Sequence, residues 1–204
     1  MVLRLRVSLP DRPGTLGQVA RALGVLGADI LQVTVLEREC GRAVDDFTVC
    51  WPGVSTAEAA RERLSTVPGV RVEGVWPTKE VPGSTPDYDL LLHVVADPAR
   101  GLPTLVDALP GLCGAEWAVA LAGDAVRHAS LAAPATVKLP GLVPLRPAAF
   151  AEAGIRLMVL PITHAALHVV VGRREGPPFH RAELDRAARI VEVVAKLADR
   201  AVAR

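Results

Sequence analysis

The sequence predicts an α+β fold in two successive parts, and three observations predict it. In the first 77 residues the apolar period switches repeatedly between two and about 3.6, so strands and helices alternate. Residues 78–86 hold Pro82, Gly83 and Pro86 and no apolar period, the composition of an extended connector. From residue 87 onward, β-rich runs joined by glycine turns lie between helical stretches. The predicted organisation is therefore residues 1–77, a linker at 78–86 and a second domain at 87–204.

Composition sets the outer limits. Half of the 204 residues are apolar and 22% are charged, which excludes a disordered chain. The 23 Lys+Arg against 22 Asp+Glu leave a net charge of +1, without the basic surplus that nucleic-acid binding draws on. No apolar run approaches the roughly 18 residues of a membrane-spanning helix, and the alternating start of the chain does not read as a signal peptide. Cys40, Cys50 and Cys113 form no CxxC pair, so neither a disulfide framework nor a structural zinc site is expected. A cytoplasmic protein without membrane or nucleic-acid partners is the expectation.

The first part reads as follows. Residues 2–9 alternate, with Leu3, Leu5, Val7 and Leu9 on one face and Arg4, Arg6 and Ser8 on the other, a half-buried strand. Pro10, Pro13 and Gly14 break it. Leu16, Val19, Ala20, Leu23 and Leu26 then take helical spacing, and Gly27 is placed to end the helix. Residues 30–37 are β-branched and read as a strand, Cys40-Gly41 as a hairpin turn, and residues 43–51 as the returning strand. Ser55-Thr56-Ala57-Glu58 is a capping box that opens a second helix, with Ala57, Ala60 and Leu64 facing inward. Pro68-Gly69 ends it, and residues 70–76 make the last strand.

The order β-α-β-β-α-β has a natural solution in a four-stranded antiparallel sheet with both helices on one face, a ferredoxin-like sandwich. That fold serves many ends, so the function rests on sites. Base stacking by an RNA-recognition module needs aromatics on the open sheet face, where the first strand carries Arg4, Arg6 and Ser8. A soft-metal carrier needs a CxxC in the first loop, which has no cysteine. Small-molecule sensing is left.

The residues Leu9-Pro10-Asp11-Arg12-Pro13-Gly14-Thr15-Leu16, followed one helix later by Gly27-Ala28-Asp29-Ile30, resemble the signature of the ACT domain. The resemblance covers residues 2–76. It implies a regulatory module that binds an amino acid between the loop after the first strand and the second strand, at an interface with another ACT domain. It therefore implicates Asp11, Arg12, Pro13, Gly14, Thr15 and Leu16, with Asp29 and Ile30 opposite, in a homodimer. The loop chemistry agrees. Gly14 allows close backbone approach, and the N–H groups of Gly14, Thr15 and Leu16 at a helix start favour a carboxylate. Asp11 and Asp29 are able to receive an ammonium. The alternative is a helix capped by Asp11, with Gly14 shaping a turn and no ligand.

In the second part Thr85-Pro86-Asp87 reads as a helix start, and residues 87–96 as a helix, although their composition also suits a strand. Leu102, Leu105, Val106 and Leu109 give a second short helix ending at Pro110-Gly111. Two strands flank Gly123-Asp124, and Pro134 to Pro147 bound a long loop. Phe150 is expected on a short helix ending at Gly154. Residues 156–162 and 167–172 form another hairpin, and a helix over residues 181–203 closes the chain. This part resembles a GAF domain, carried by Leu160-Pro161-Ile162, the strand over residues 166–173, and Gly176-Pro177-Pro178-Phe179-His180 with Glu183 and Leu184. The resemblance implies a small α/β sensor or dimerisation domain with an antiparallel sheet. His180 stands where the family has a serine cap and is expected to cap the helix less well.

No enzyme is expected. His164 and His168 have an i, i+4 spacing but fall at a hairpin, no nucleophile elbow or phosphate loop occurs, and Asp45 and Asp46 point to opposite faces of a strand. Catalytic residues, metal ligands and cofactors are all expected to be none. On the closing helix Leu184, Ala187, Val191, Val194 and Ala198 form one stripe, with Ile190, Val193 and Leu197 beside it, which suits a partner helix or a covered core helix. Two functions follow: a stand-alone regulatory protein that binds an amino acid at an ACT–ACT dimer interface, or a ligand-free module for dimerisation or docking of a protein partner.

Overall fold

The computed structural model describes residues 1–51, 57–78, 83–137 and 144–202. The chain forms two compact units: Met1–Gly83 with Glu175–Pro177, and Ser84–Arg174 with Pro178–Arg204. The division falls inside the predicted connector. Both units are α+β with antiparallel sheets.

The first unit runs β1 (Val2–Pro10), α1 (Thr15–Val25), β2 (Asp29–Glu39), β3 (Arg42–Cys50), α2 (Ala57–Ser65) and β4 (Arg71–Pro77). Its four strands pair antiparallel in the order β2-β3-β1-β4, so β2 and β4 are edges. Leu3, Leu5, Val7 and Leu9 of β1 share a core with Phe47 and Val49 of β3, Val19 and Leu23 of α1, and Ala60 and Leu64 of α2. Both helices therefore cover one face. The β2–β3 hairpin turns on Cys40 (φ 50°) and Gly41 (φ 73°), the two consecutive left-handed residues that match the twist of the flanking strands. Ser55 and Thr56 of the expected capping box lie outside the described residues.

Two expectations for this unit are corrected. Leu16 has the spacing of the inward stripe of α1 but is 45% exposed; the helix buries Val19 and Leu23 of that stripe together with Thr15 and Ala22. The helix begins one residue before Leu16, and Thr15 takes the first core-facing position. On β1, Arg6 and Ser8 are buried. The Arg6 guanidinium forks onto Asp46, with Nε donating to Oδ1 and Nη2 to Oδ2, both at 2.8 Å, and lies 5.7 Å from the centre of the Trp76 ring. Asp46 also meets Arg4 Nε at 3.3 Å. Full pairing removes the penalty that had marked these positions as solvent-facing.

The second unit runs α3 (Pro86–Ala96), α4 (Gly101–Leu112), β5 (Trp117–Ala122), β6 (Ala125–Ala129), β7 (Ala148–Glu152), β8 (Ile155–Ile162), β9 (Leu167–Arg173) and α5 (Arg181–Val202). Its five strands are ordered β6-β5-β9-β8-β7. One face carries Ala118, Ala120, Met158, Leu160, Val169 and Val171 into a core with all three helices. The other gathers Trp117, Val119, Leu121, Leu157, Val159 and Val170. Among the described residues no helix is long and apolar enough to cross a membrane.

Here too the structure departs from expectation. Phe150 lies on a strand, because Ala148–Glu152 pairs with β8 through Ala148↔Val159 to Glu152↔Ile155, closed by Ala153 (φ 49°) and Gly154 (φ 78°). Pairing with the next strand in a tight hairpin overrides the helical propensity of an alanine-rich run. α4 continues through Pro110 to Leu112 instead of ending there. His180 proves a working cap: its Nδ1 accepts the Ala182 N–H at 3.2 Å, while Glu183 Oε2 accepts the His180 N–H at 2.7 Å, a reciprocal box with an imidazole in the usual hydroxyl role. Along α5, Ala187, Ile190, Val191, Val194 and Ala195 are buried, and Val193 is exposed.

Candidate functional site

The loop between β1 and α1 is built by proline and glycine. Pro10 ends the strand, its carbonyl accepts the Arg12 N–H at 2.9 Å, and Gly14 at φ 89° turns the chain into the helix. That left-handed conformation costs an L side chain roughly 1–2 kcal/mol, and glycine removes the cost. A Cβ built on Gly14 meets nothing within 4 Å, so the residue faces open space. Gly14 is the helix cap and supplies no side-chain bond.

The donors at this end differ from the expected set. The Thr15 N–H is spent on the Arg12 carbonyl at 3.2 Å, which tightens the loop. Among the described residues the N–H groups of Gly14 and Leu16 have no partner. They stand at the positive end of an 11-residue helix with no acidic residue in its first turn, where a carboxylate is favoured.

Asp11 neither caps α1 nor stands free. Arg38 grips it from the end of β2, Nε to Oδ2 at 3.1 Å and Nη2 to Oδ1 at 3.0 Å, and the Asp11 N–H donates to the Gly41 carbonyl at 2.9 Å. Asp11, Arg12, Pro13, Gly14, Thr15 and Leu16 are thus gathered beside the β2–β3 hairpin. Asp29 and Ile30 are not brought to them within one chain. Asp29 pairs in register with Cys50, whereas Glu39 pairs with Arg42 and Pro10 with that same Arg42. Arg38 lies nine positions along the strand from Asp29, about 30 Å at the strand rise.

A further acid was missed. Asp45 lies on the helix-covered face of β3, between Val7 on β1 and Val35 on β2, and is 3% exposed. Its Oδ1 is buried without a hydrogen-bond partner. Burial pushes its carboxyl above the ordinary value, the nearby charges of Asp11 and Asp46 push the same way, and Arg38 opposes them. The signal was present in the alternation, since Asp45 has the parity of Ala43, Phe47 and Val49.

The second unit buries Arg173 at 1% exposure. Its Nη1 donates to the Cys113 carbonyl at 3.2 Å and to Glu183 Oε1 at 3.1 Å, and the guanidinium carbon lies 3.9 Å from the centre of the Phe179 ring. Burial, reinforced by Glu183, pushes the Cys113 thiol up to about 12, which leaves it unreactive. His164 is held by Asp199 at 2.7 Å on a short turn, and His168 sits on β9. Among the described residues no group of three His, Cys, Asp or Glu is arranged to hold a metal ion.

No family model matches the chain, and a search of curated proteins gives no significant match. Among solved structures, a formyltetrahydrofolate deformylase from Pseudomonas putida KT2440 is similar over 47% of this chain, at 18% identity and a TM-score of 0.32. That match spans 38% of the deformylase chain. An unknown protein from Galdieria sulphuraria is similar over 96% of this chain and 91% of its own, at 12% identity and a TM-score of 0.34. At these values neither likeness carries an argument about this chain.

Proposed function

We propose that the protein is a stand-alone regulator that binds an amino acid at the β1–α1 loop, with a ferredoxin-like ACT unit followed by a GAF-like unit. The observation that carries the reading is the pair of unpartnered N–H groups, Gly14 and Leu16, at the head of α1. The four-stranded antiparallel sheet with both helices on one face supports the ACT assignment. A five-stranded antiparallel sheet under three helices supports the GAF-like one.

The edge position of β2 supports a dimer. Leu31, Val33 and Val35 are 38%, 37% and 54% exposed on a strand with one unpaired side. If two copies pair β2 antiparallel with Val33 opposite Thr34, Asp29 falls opposite the partner's Arg38. The two halves of the expected site, distant within one chain, then meet across the interface. The same exposed edge favours a second reading, a docking module without a small ligand.

Thermal melting against the twenty amino acids at millimolar concentration tests the proposal. Ligand at 100 times its dissociation constant adds about 2.7 kcal/mol, a plain rise in Tm. No shift with any of them rejects sensing and leaves the docking module.

A further inference from the structure

Asp11 and Asp29 were the acids expected to receive an amino group. Asp11 has both carboxylate oxygens engaged by one edge of the Arg38 guanidinium, and Asp29 lies about 30 Å along β2 from Arg38 in the same chain. One acid near the loop keeps an open valence. Asp45 occupies the sheet face onto which the loop and the buried Thr15 fold, it feels the charges of Asp11 and Arg38, and its Oδ1 is buried with no hydrogen-bond partner. A buried polar atom left without a partner is costly, and native structures keep few of them. Val35, its neighbour on the edge strand, is 54% exposed, which makes the β2 edge the side of Asp45 nearest to solvent-exposed chain.

We infer that Asp45 is the residue that receives the ligand's ammonium, and so selects compounds carrying a primary amine over the corresponding hydroxy acids. The inference rests on the amino-acid-binding reading above. The loop N–H groups take the carboxylate; Asp45 takes the amine. The two ends of a zwitterion are thereby read by different elements, the head of α1 and the middle of β3. Asp11 acts as an anchor for the loop through Arg38, not as a ligand contact.

Two comparisons by titration calorimetry test it on the full chain. Wild-type protein is titrated with each of the twenty amino acids and, for each one that binds, with the 2-hydroxy acid of the same side chain. Binding of the amino acid at least about tenfold tighter than the hydroxy acid is expected, the discrimination that a hydrogen bond to a charged group provides. Asp45→Asn, with its fold checked by circular dichroism, should weaken the amino acid by a similar factor and leave the hydroxy acid unchanged. Equal wild-type affinity for both compounds overturns the inference and needs no variant. Retained amino-acid affinity in Asp45→Asn, with Asp11→Asn abolishing it, also overturns the inference while sparing the sensing function. No binding of any amino acid by the wild type overturns both together.

Discussion

Trp117 and Gly172 face each other across β5 and β9, and the indole lies over the glycine so closely that a Cβ there would stand 2.2 Å from the ring. No side chain tolerates that approach, and the obstacle is the buried body of a rigid tryptophan that is 3% exposed. Gly172→Ala is therefore expected to expel the indole or part the strands, at about 3 kcal/mol. Urea unfolding followed by tryptophan fluorescence will show the loss of stability, and the emission will shift to the red as the ring meets water. Trp117→Leu in the Gly172→Ala background should restore part of the loss.

Two glycines of the first unit separate strain from crowding. Gly14 (φ 89°) faces open space, whereas a Cβ on Gly69 (φ 78°) would lie 2.7 Å from Cγ of Pro10. Gly14→Ala should cost only the left-handed backbone, roughly 1–2 kcal/mol. Gly69→Ala adds a collision with a ring that cannot swing aside, and about 3 kcal/mol or more is expected. Thermal melts of the two variants side by side will show the order.

Asp45 gives stability an unusual dependence on acidity. Its carboxyl is raised in the folded state, first by burial and then by Asp11 and Asp46, above the 3.8 of an ordinary aspartate. The folded chain thus holds this proton more tightly than the unfolded chain, and the contribution of Asp45 falls as pH climbs from about that value through the raised one. Asp45→Asn removes the charge and should gain on the wild type near neutrality, on the order of 1 kcal/mol, with the gain shrinking as the solution is made acid. Urea midpoints for both proteins between pH 3.5 and 7 (roughly the window of ordinary and raised carboxyl values) measure the difference, from which other titrating groups cancel.

Glu183 serves two ends at once. It accepts the His180 N–H at the start of α5 and holds the buried Arg173, whose side chain is 2% exposed against 14% for Glu183. Glu183→Ala leaves a buried guanidinium short of its counter-charge and uncaps the helix, an expected loss of about 3–5 kcal/mol. Glu183→Gln keeps the cap and loses the charge, and should fall between. Chemical denaturation of the three proteins will rank them.

Strong periodicity made most of this fold legible. The strand and helix order of residues 2–76 followed from alternation giving way to helical spacing, and Phe47 and Val49 are buried on the face that alternation indicated. Phe150 failed because Ala148–Glu152 has no alternation to read; only its partner β8, several residues on, makes it a strand. Arg6 failed for a related reason. A charged residue reads as solvent-facing until its partner is known, and Asp46 lies forty positions away. At the site, the Pro-Gly turn was visible in the sequence, but the capture of Asp11 by Arg38 and the spending of the Thr15 N–H on Arg12 were not, since both depend on where the hairpin lies.

Asp11 is fastened to the β2–β3 hairpin twice, through its own N–H to Gly41 and through its carboxylate to Arg38. The start of the loop is consequently tied to the hairpin at two points. Under the proposed amino-acid-binding reading, a loop tied down in this way lowers the ordering cost of binding at the open amides of Gly14 and Leu16.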